Sequence, residues 1–491
     1  MNQYISTRGG AAPVSASQAV LAGIAPDGGL FVPQEIPALD LDALRGKSFS
    51  EVAQAVCRAL LPDFTEAEIA ECVTQGYAGK FEGDEVAPVV KVGDRYVLEL
   101  YHGPTCAFKD VALSLLPRFM SVARRKNGVA EEIVILAATS GDTGSAAIEG
   151  FKNVPGTRII VFYPETGISD VQRAQMVTVD AANVRACAVK GNFDDAQAGV
   201  KRIFTHVTPD MLSTPEHGAR LSSANSINIG RLVPQVAYYV SCYLTLVEFG
   251  EIAMGDKLNF SVPTGNFGDI LAGYIAGRMG LPVGRLICAS NANDVLTEFF
   301  HTGTYNRVRP FHVTASPSMD ILVSSNLERL LYFMSDAETT AGLMKQLNET
   351  GAYTLSGEMF RQIREQFPAG SCDDAATLAT IGDVFRDYGY LMDPHTAVAW
   401  RVAEQQPADG NRTVVLSTAS PFKFAANVLK AVGEAGEGDG FDQLRHLEAC
   451  TGWKAPDALA KLEGKPAVQR DAREPQMLDD YVVERVREAK W

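Results

Sequence analysis

The feature that most constrains the fold is a set of short apolar, β-branched runs separated by helical stretches. They are EEIVILAA (131–138), TRIIVFY (157–163), VRACAVK (184–190), LNFSVP (258–263), GRLICAS (284–290) and TVVLST (413–418). Strands of this length alternating with helices predict an α/β protein of parallel sheets flanked by helices, with ligands bound beyond the carboxyl ends of the strands. The stretch 1–90 lacks that alternation. It mixes helical patterns such as FSEVAQAVCRALL with the turn-rich APDGGLFVPQEIP at 25–37, and predicts a separate N-terminal domain. An α/β domain is expected over 91–250, a second α/β part over 251–430 with a helical insertion at 301–385, and a C-terminal extension over 431–491. Within that extension GEAGEGDG (433–440) reads as an acidic loop and YVVERVREAKW as an amphipathic helix.

Charge and cysteine usage narrow the partners. Lys and Arg number 44 against 59 Asp and Glu, a net charge of −15, and an acidic surface repels phosphate backbones and anionic headgroups at long range. Neither nucleic acid nor a membrane surface is an expected partner. The most apolar stretch, 232–247, is interrupted by Pro234 and Gln235 and falls short of the ~20 residues that span a bilayer; a buried core helix is predicted there. The eight cysteines form no CxxC pair and the seven histidines no HExxH, so no metal centre or disulfide framework is expected. MNQYISTRGG has no basic-then-apolar signal pattern, and a reducing cytoplasm is the expected setting.

Four segments carry candidate chemistry. In HGPTCAFKDVAL, Lys109 follows Phe108 and opens an apolar helical pattern; a lysine losing water there has a depressed pKa and becomes a nucleophile, although taken alone it also reads as a snorkelling lysine. In ILAATSGDTGSAAIEGF a strand end meets a helix start, and the small residues Ser140, Gly141, Asp142 and Thr143 suit either a carboxylate or an ordinary helix cap. In FSVPTGNFGDILAG the loop Gly265, Asn266, Phe267, Gly268, Asp269 has the same strand-loop-helix order; it can cradle a phosphate on main-chain N–H groups, or be a structural turn. In VVLSTASPFKF, Ser417, Thr418 and Ser420 follow a strand end, where a hydroxyl can meet a ring nitrogen or cap a helix.

Together with YISTRGG (4–10), SANSINIGRL (223–232) and DPHTAVAW (393–400), in this order along the chain, these blocks closely resemble the threonine synthase family. Those are pyridoxal-phosphate enzymes of fold type II, tryptophan synthase β-like, and the longer subfamily has an extra N-terminal domain. The resemblance implies pyridoxal 5'-phosphate as cofactor, bound through Lys109 as a Schiff base, and a reaction in which O-phospho-L-homoserine and water give L-threonine and phosphate. The nearest alternative on the same fold is a phospholyase that releases 2-oxobutyrate. By resemblance Gly265, Asn266, Phe267, Gly268 and Asp269 hold the cofactor phosphate, Asp142 lies near its phenolic oxygen and Thr418 faces its pyridine nitrogen. Ser140, Gly141 and Thr143 are assigned to the substrate carboxylate. Its phosphate falls to Asn225, Ser226, Asn228 and Arg231 with Ser169 and Arg173; Arg231 also reads as a helix-surface charge and Asn228 as an N-cap. The chain departs from the family at Ser420, where a histidine is common, and at Cys106, read as a packing substitution. A monomer or homodimer is expected.

Overall fold

The computed structural model describes residues 3–83, 85–139, 141–166, 168–214 and 218–488. Two parallel sheets dominate it. The first has five strands in the order Asp471–Arg473, Val184–Val189, Thr157–Pro164, Glu132–Ala138, Ala219–Ser222. The second has six, in the order Ala369–Ser371, Val283–Ser290, Leu258–Pro263, Arg412–Ser417, Arg95–Glu99, Val89–Val92, with only the last pair antiparallel. The runs read from the sequence coincide with the central strands of both sheets. Nearly every residue of Glu132–Ala138, Thr157–Pro164 and Leu258–Pro263 is buried, as strands covered on both faces must be.

Strand order fixes where a ligand can sit. From Glu132–Ala138 the chain crosses to Thr157–Pro164 on one side and later returns to place Ala219–Ser222 on the other. From Leu258–Pro263 it crosses to Val283–Ser290 and later returns as Arg412–Ser417. Such reversals leave a crevice at the carboxyl ends of the strands. The two glycine-rich loops, after Ala138 and after Pro263, leave the sheets at those two points.

Short strands missing from the sequence reading show that the sheets do not follow divisions at 90, 250 and 430. Val89–Val92 and Arg95–Glu99 join the second sheet because Val97 and Leu98 pair with Val415 and Leu416. Asp471–Arg473 closes the edge of the first sheet against Cys187, Ala188 and Val189. The segment 301–385 is mainly helical, with Leu327–Met334, Ala337–Thr350, Gly357–Gln366 and Asp374–Tyr388. It also holds an antiparallel pair, Thr304–Asn306 with Ala352–Thr354.

Helix starts follow local capping chemistry. Ser48 and Glu51 form a reciprocal box at the head of Phe49–Leu60, and Thr65 and Glu68 another at Glu66–Tyr77. Both helices belong to the N-terminal unit, which also pairs Tyr4–Ser6 with Phe31–Pro33. The apolar stretch at 232–247 lies in Ile229–Glu248, buried on nearly all faces with Pro234 inside it. Among the described residues no helix is long and apolar enough to cross a membrane. The last helix is Leu478–Arg487, whose Leu478, Tyr481, Val482 and Val486 are buried.

Candidate active site

Lys109 is the first residue of the short helix Lys109–Leu113, and the loop before it is held rigidly. Asp110 accepts hydrogen bonds from the Thr105 N–H (2.8 Å) and hydroxyl (2.6 Å). The Phe108 N–H donates to the Thr418 carbonyl (2.9 Å) and the Ser420 N–H to the Cys106 carbonyl (3.1 Å). The lysine is thereby pinned to the end of the strand Arg412–Ser417. Its side chain is buried, with Nζ 4.7 Å from the Phe108 ring centroid and 3.7 Å from Asp142 Oδ2. Burial pulls its pKa below the ordinary lysine value; Asp142 opposes that, while Lys423 and Arg231 add to it.

Asp142 begins the helix Asp142–Phe151, and its carboxylate is the hub of the site. Oδ1 accepts from Lys423 Nζ (2.7 Å) and Gln172 Nε2 (3.0 Å), and Oδ2 from the Ser318 hydroxyl (3.2 Å). Burial alone would raise its pKa, but Lys423 and Lys109 reverse that and hold it well below the usual carboxylate range. The preceding Gly141 has φ +147°, and a Cβ there would meet Gln172 Nε2 at 2.4 Å. Only glycine takes that conformation and lets Gln172 reach Asp142. His395 completes this wall. Its Nδ1 lies 2.6 Å from Asp393 Oδ1 and its Nε2 accepts the Ser318 N–H at 3.1 Å, an arrangement that makes it the Nδ1–H tautomer.

The second loop faces this cluster from the other sheet. Phe267, at φ +60°, turns the chain into the helix Gly268–Arg278, whose first-turn N–H groups have no partner inside the helix. The Phe267 ring packs against Phe300 and Phe367, so this residue serves the loop through its backbone. Asn266 is tied by its carbonyl to the N–H of Asn326 (3.0 Å), and the Gly265 carbonyl accepts from the Ser324 hydroxyl (2.7 Å). Arg231, 4% exposed, lies close enough to Lys109 to bear on its charge. Its Nη1 donates to the Ala224 carbonyl (3.0 Å), its Nε has no partner, and no carboxylate among the described residues pairs with it. Burial lowers its pKa to about 10. A guanidinium in that state calls for an anion.

The family model for the threonine synthase N terminus matches residues 3–77, that for pyridoxal-phosphate dependent enzymes residues 91–419, and that for the threonine synthase C-terminal part residues 396–482. The threonine synthase of Pseudomonas aeruginosa is 40% identical over 472 residues, 94% of this chain and 97% of that one. The chain belongs to the threonine synthase family. Threonine synthase-like 1 of Macaca fascicularis is 40% identical over 431 residues, 85% of this chain, and the match spans 58% of that longer relative. The crystal structure of the pyridoxal-phosphate-bound threonine synthase from Brucella melitensis has a TM-score of 0.88 and 39% identity, covering 99% of this chain and 100% of that one. Pyridoxal phosphate is the cofactor of this family, and the α/β architecture is its fold.

The geometry sets Lys109 beside Asp142, Phe108 on the Thr418 carbonyl, and Gly265 against Ser318, which bonds Asp142, with Arg231 close enough to Lys109 to bear on its charge. The Thr418 side chain is buried, and its hydroxyl makes no hydrogen bond to the described residues. Ser226 lies at the rim, its hydroxyl 3.4 Å from that of Ser325, which in turn reaches Asn266 Oδ1 at 3.5 Å. Thr143 is half-buried in the first turn beside Asp142. Ser140 lies outside the described residues.

Other expected contacts are committed elsewhere. Asn228 is the N-cap of Ile229–Glu248, its Oδ1 accepting from the Gly230 N–H and its Nδ2 donating to the Val20 and Ser223 carbonyls, so its side chain has no capacity left for a phosphate. Ser169 is exposed and spent in a capping box with Gln172; Arg173 is exposed on the same helix, and Asn225 is exposed. The N–H groups of Gly141 and Gly144 donate to Thr139 Oγ1 at 3.0 and 2.9 Å, which leaves fewer donors for a carboxylate. Asp269 turns its carboxyl into Tyr238 and Tyr239, whose hydroxyls lie 2.5 and 2.9 Å from Oδ1, and burial raises it to about 6. Its Oδ2 has no partner, and its N–H remains for the loop.

Sequence reasoning missed Lys423, Gln172, Ser318, His395 and the segment 324–326. Lys423 shared part of the signal of Lys109, a lysine directly after a phenylalanine, in SPFKF just past a strand end.

Proposed function

We propose that this chain converts O-phospho-L-homoserine and water into L-threonine and inorganic phosphate, with Lys109 as the lysine that carries the cofactor and moves the protons. The observation that carries the reading is the buried amine of Lys109 beside Asp142, with two polar groups nearby that are not fully engaged. They are the orphaned Nε of Arg231 and the uncommitted hydroxyl of Thr418. These residues fit pyridoxal phosphate: the N–H groups of Gly265 to Gly268 suit its phosphate, Asp142 its phenolic oxygen and Thr418 its ring nitrogen. When bound, the cofactor withdraws the electrons left behind as a proton leaves the substrate.

The remaining chemistry is the work of the protein. Lys109 takes the proton from the substrate's Cα, which requires the neutral amine that burial favours. Arg231 binds the substrate phosphate through charge-assisted bonds, its Nε being the donor without a protein acceptor. Phe108 and the buried Ala107 and Cys106 line the lysine's side of the crevice and limit water there. The substrate carboxylate is assigned to Ser140, Gly141 and Thr143 by the resemblance, with the Gly141 N–H already donating to Thr139. We infer a reducing cytoplasm as the setting, since all eight cysteines are free thiols.

The test is to incubate the cofactor-loaded protein with O-phospho-L-homoserine and quantify phosphate, threonine and 2-oxobutyrate together. Threonine equal to phosphate is the expected result. Phosphate matched by 2-oxobutyrate would overturn the synthase reading in favour of a phospholyase. Lys109→Ala is expected to lose both turnover and the visible absorbance of the loaded protein.

A further inference from the structure

Two buried lysines share one carboxylate in this site. Lys423 lies in the short turn Pro421–Phe424 at the end of the strand Arg412–Ser417, with 2% of its surface exposed. Its Nζ is 2.7 Å from Asp142 Oδ1 and donates to the Thr105 carbonyl at 2.7 Å. Lys109 Nζ stands 3.7 Å from the other oxygen of the same carboxylate, beyond hydrogen-bond range. Two ammonium ions beside one carboxylate in a dry crevice would leave an uncompensated buried charge, a state that costs several kcal/mol. One of the two must give up its proton, and the hydrogen bonds decide which. Lys423 has two acceptors at ideal distance, while Lys109 has an aromatic ring and a distant oxygen.

We propose that Lys423 is the fixed counter-ion of Asp142, a positioning residue that leaves Lys109 as a neutral, nucleophilic amine. The inference rests on the reading of Lys109 as the cofactor-bearing lysine. The other charged groups facing the pair leave the assignment standing. Arg231 repels a proton on Lys109; Asp110 favours one, as does Asp269, but Asp110 is occupied by Thr105, and Asp269, whose Oδ1 takes two tyrosine hydroxyls while Oδ2 stays unpartnered, makes no hydrogen bond or ion pair with Lys109. On the side of Asp142, His395 is engaged by Asp393 and Ser318.

The inference has a readout that needs no turnover. Capture of pyridoxal phosphate by the stripped protein begins when the Lys109 nitrogen attacks the aldehyde carbon. A C=N bond forms, and the aldehyde oxygen leaves as water with the two amine hydrogens, so the rate follows the neutral fraction of Lys109. Stripped wild type should capture the cofactor with a pH midpoint well below the 10.5 of an ordinary lysine. In Lys423→Met, Lys109 becomes the only cation beside Asp142; the midpoint should rise and capture at neutral pH slow by about 10- to 100-fold, with the high-pH plateau unchanged. Asp142→Asn/Lys423→Met removes both charges and should restore the low midpoint, and Lys423→Arg should keep it. A Lys423→Met midpoint equal to wild type overturns the proposal. Should that variant not fold, a wild-type midpoint near 10.5 overturns it as well. Failure of the underlying reading looks different: Lys109→Ala would then capture the cofactor normally.

Discussion

Gly150→Ala tests whether the site depends on how closely two helices approach. Gly150 lies near the end of the helix that begins with Asp142, and a Cβ there would sit 2.1 Å from the Leu113 carbonyl oxygen and 2.9 Å from its carbon. Leu113 ends the helix that begins with Lys109. Both obstructing atoms are backbone, so no side chain can swing aside. Ordinary contact requires roughly 3.4 Å, so the helices must part locally by about 1 Å. Overpacking of this kind costs ~1–3 kcal/mol, and alanine's better helix propensity returns up to ~1 kcal/mol, for a net loss of about 1 kcal/mol. The same movement carries Lys109 away from Asp142, and a displacement of ~1 Å can cost about 100-fold in rate. The control is Gly342→Ala, in the helix Ala337–Thr350, where a Cβ meets nothing within 4 Å; it should gain roughly 0.5–1 kcal/mol with unchanged turnover. Urea unfolding and turnover of the two variants decide the matter. If Gly150→Ala matched Gly342→Ala in both, the close approach of the two helices would not be what positions the site.

Three further outcomes are expected. Arg231→Met should leave the cofactor-free protein as stable as wild type or more so, since the lost guanidinium has one carbonyl partner, and should weaken phosphohomoserine binding by about 100-fold or more; calorimetric titration showing wild-type affinity would remove Arg231 from the site. Asp269 is held at about 6 against the 3.8 of a free aspartate, so the native chain binds that proton more tightly than the unfolded one, and stability from this group is lost as pH rises from about 4 to 6, by up to ~3 kcal/mol. Asp269→Asn should flatten that fall in urea melts of the cofactor-free protein while Asp110, also raised to about 6, keeps its own share. Of the eight free thiols only Cys450 is exposed, so a colourimetric thiol reagent should label one per native chain and eight after denaturation; two or more fast native thiols would contradict the packing.

What the sequence made legible follows from locality. The central strands were readable because burial on both faces demands unbroken apolar runs, the loop 265–269 because it follows a strand end directly, and Lys109 because it lies between a Gly-Pro turn and an apolar helical pattern. Contacts closed over long separations were not. Ser318 meets Asp142 across 176 residues, from an irregular stretch whose path depends on Asn291 and Asn293 holding Asp320 at 2.7 and 3.0 Å. Asn228 and Arg231 show the limit of pattern reading within one motif. Both are polar residues at the start of the same helix, yet one is an N-cap with every polar atom used and the other a buried cation with a free donor. Three residues, just under one helical turn, separate the two fates, and only the neighbours brought in by the fold decide between them: Asn228 meets the Val20 and Ser223 carbonyls, Arg231 the Ala224 carbonyl alone.

Some blocks that carried the family resemblance lie outside the candidate site and frame it. YISTRGG lies far along the chain from the chemistry, yet Arg8 grips Glu328 with two bonds of 2.9 and 2.8 Å, and Thr7 donates to the same carboxylate at 2.6 Å. The next residue, Arg329, is fully buried and bridges the Phe31 and Ile227 carbonyls, at 3.0 and 2.6 Å, to the side chain of Asn326. Asn326 in turn holds the Asn266 carbonyl through its N–H and its Nδ2. One line of hydrogen bonds thus runs from the N-terminal unit to the loop expected to hold the cofactor phosphate. Its buried charges are Glu328 and Arg329, and taking away the groups that satisfy either one costs about 3–5 kcal/mol. That dependence gives a physical reason for a tight association between an N-terminal unit without catalytic groups and the loop it steadies.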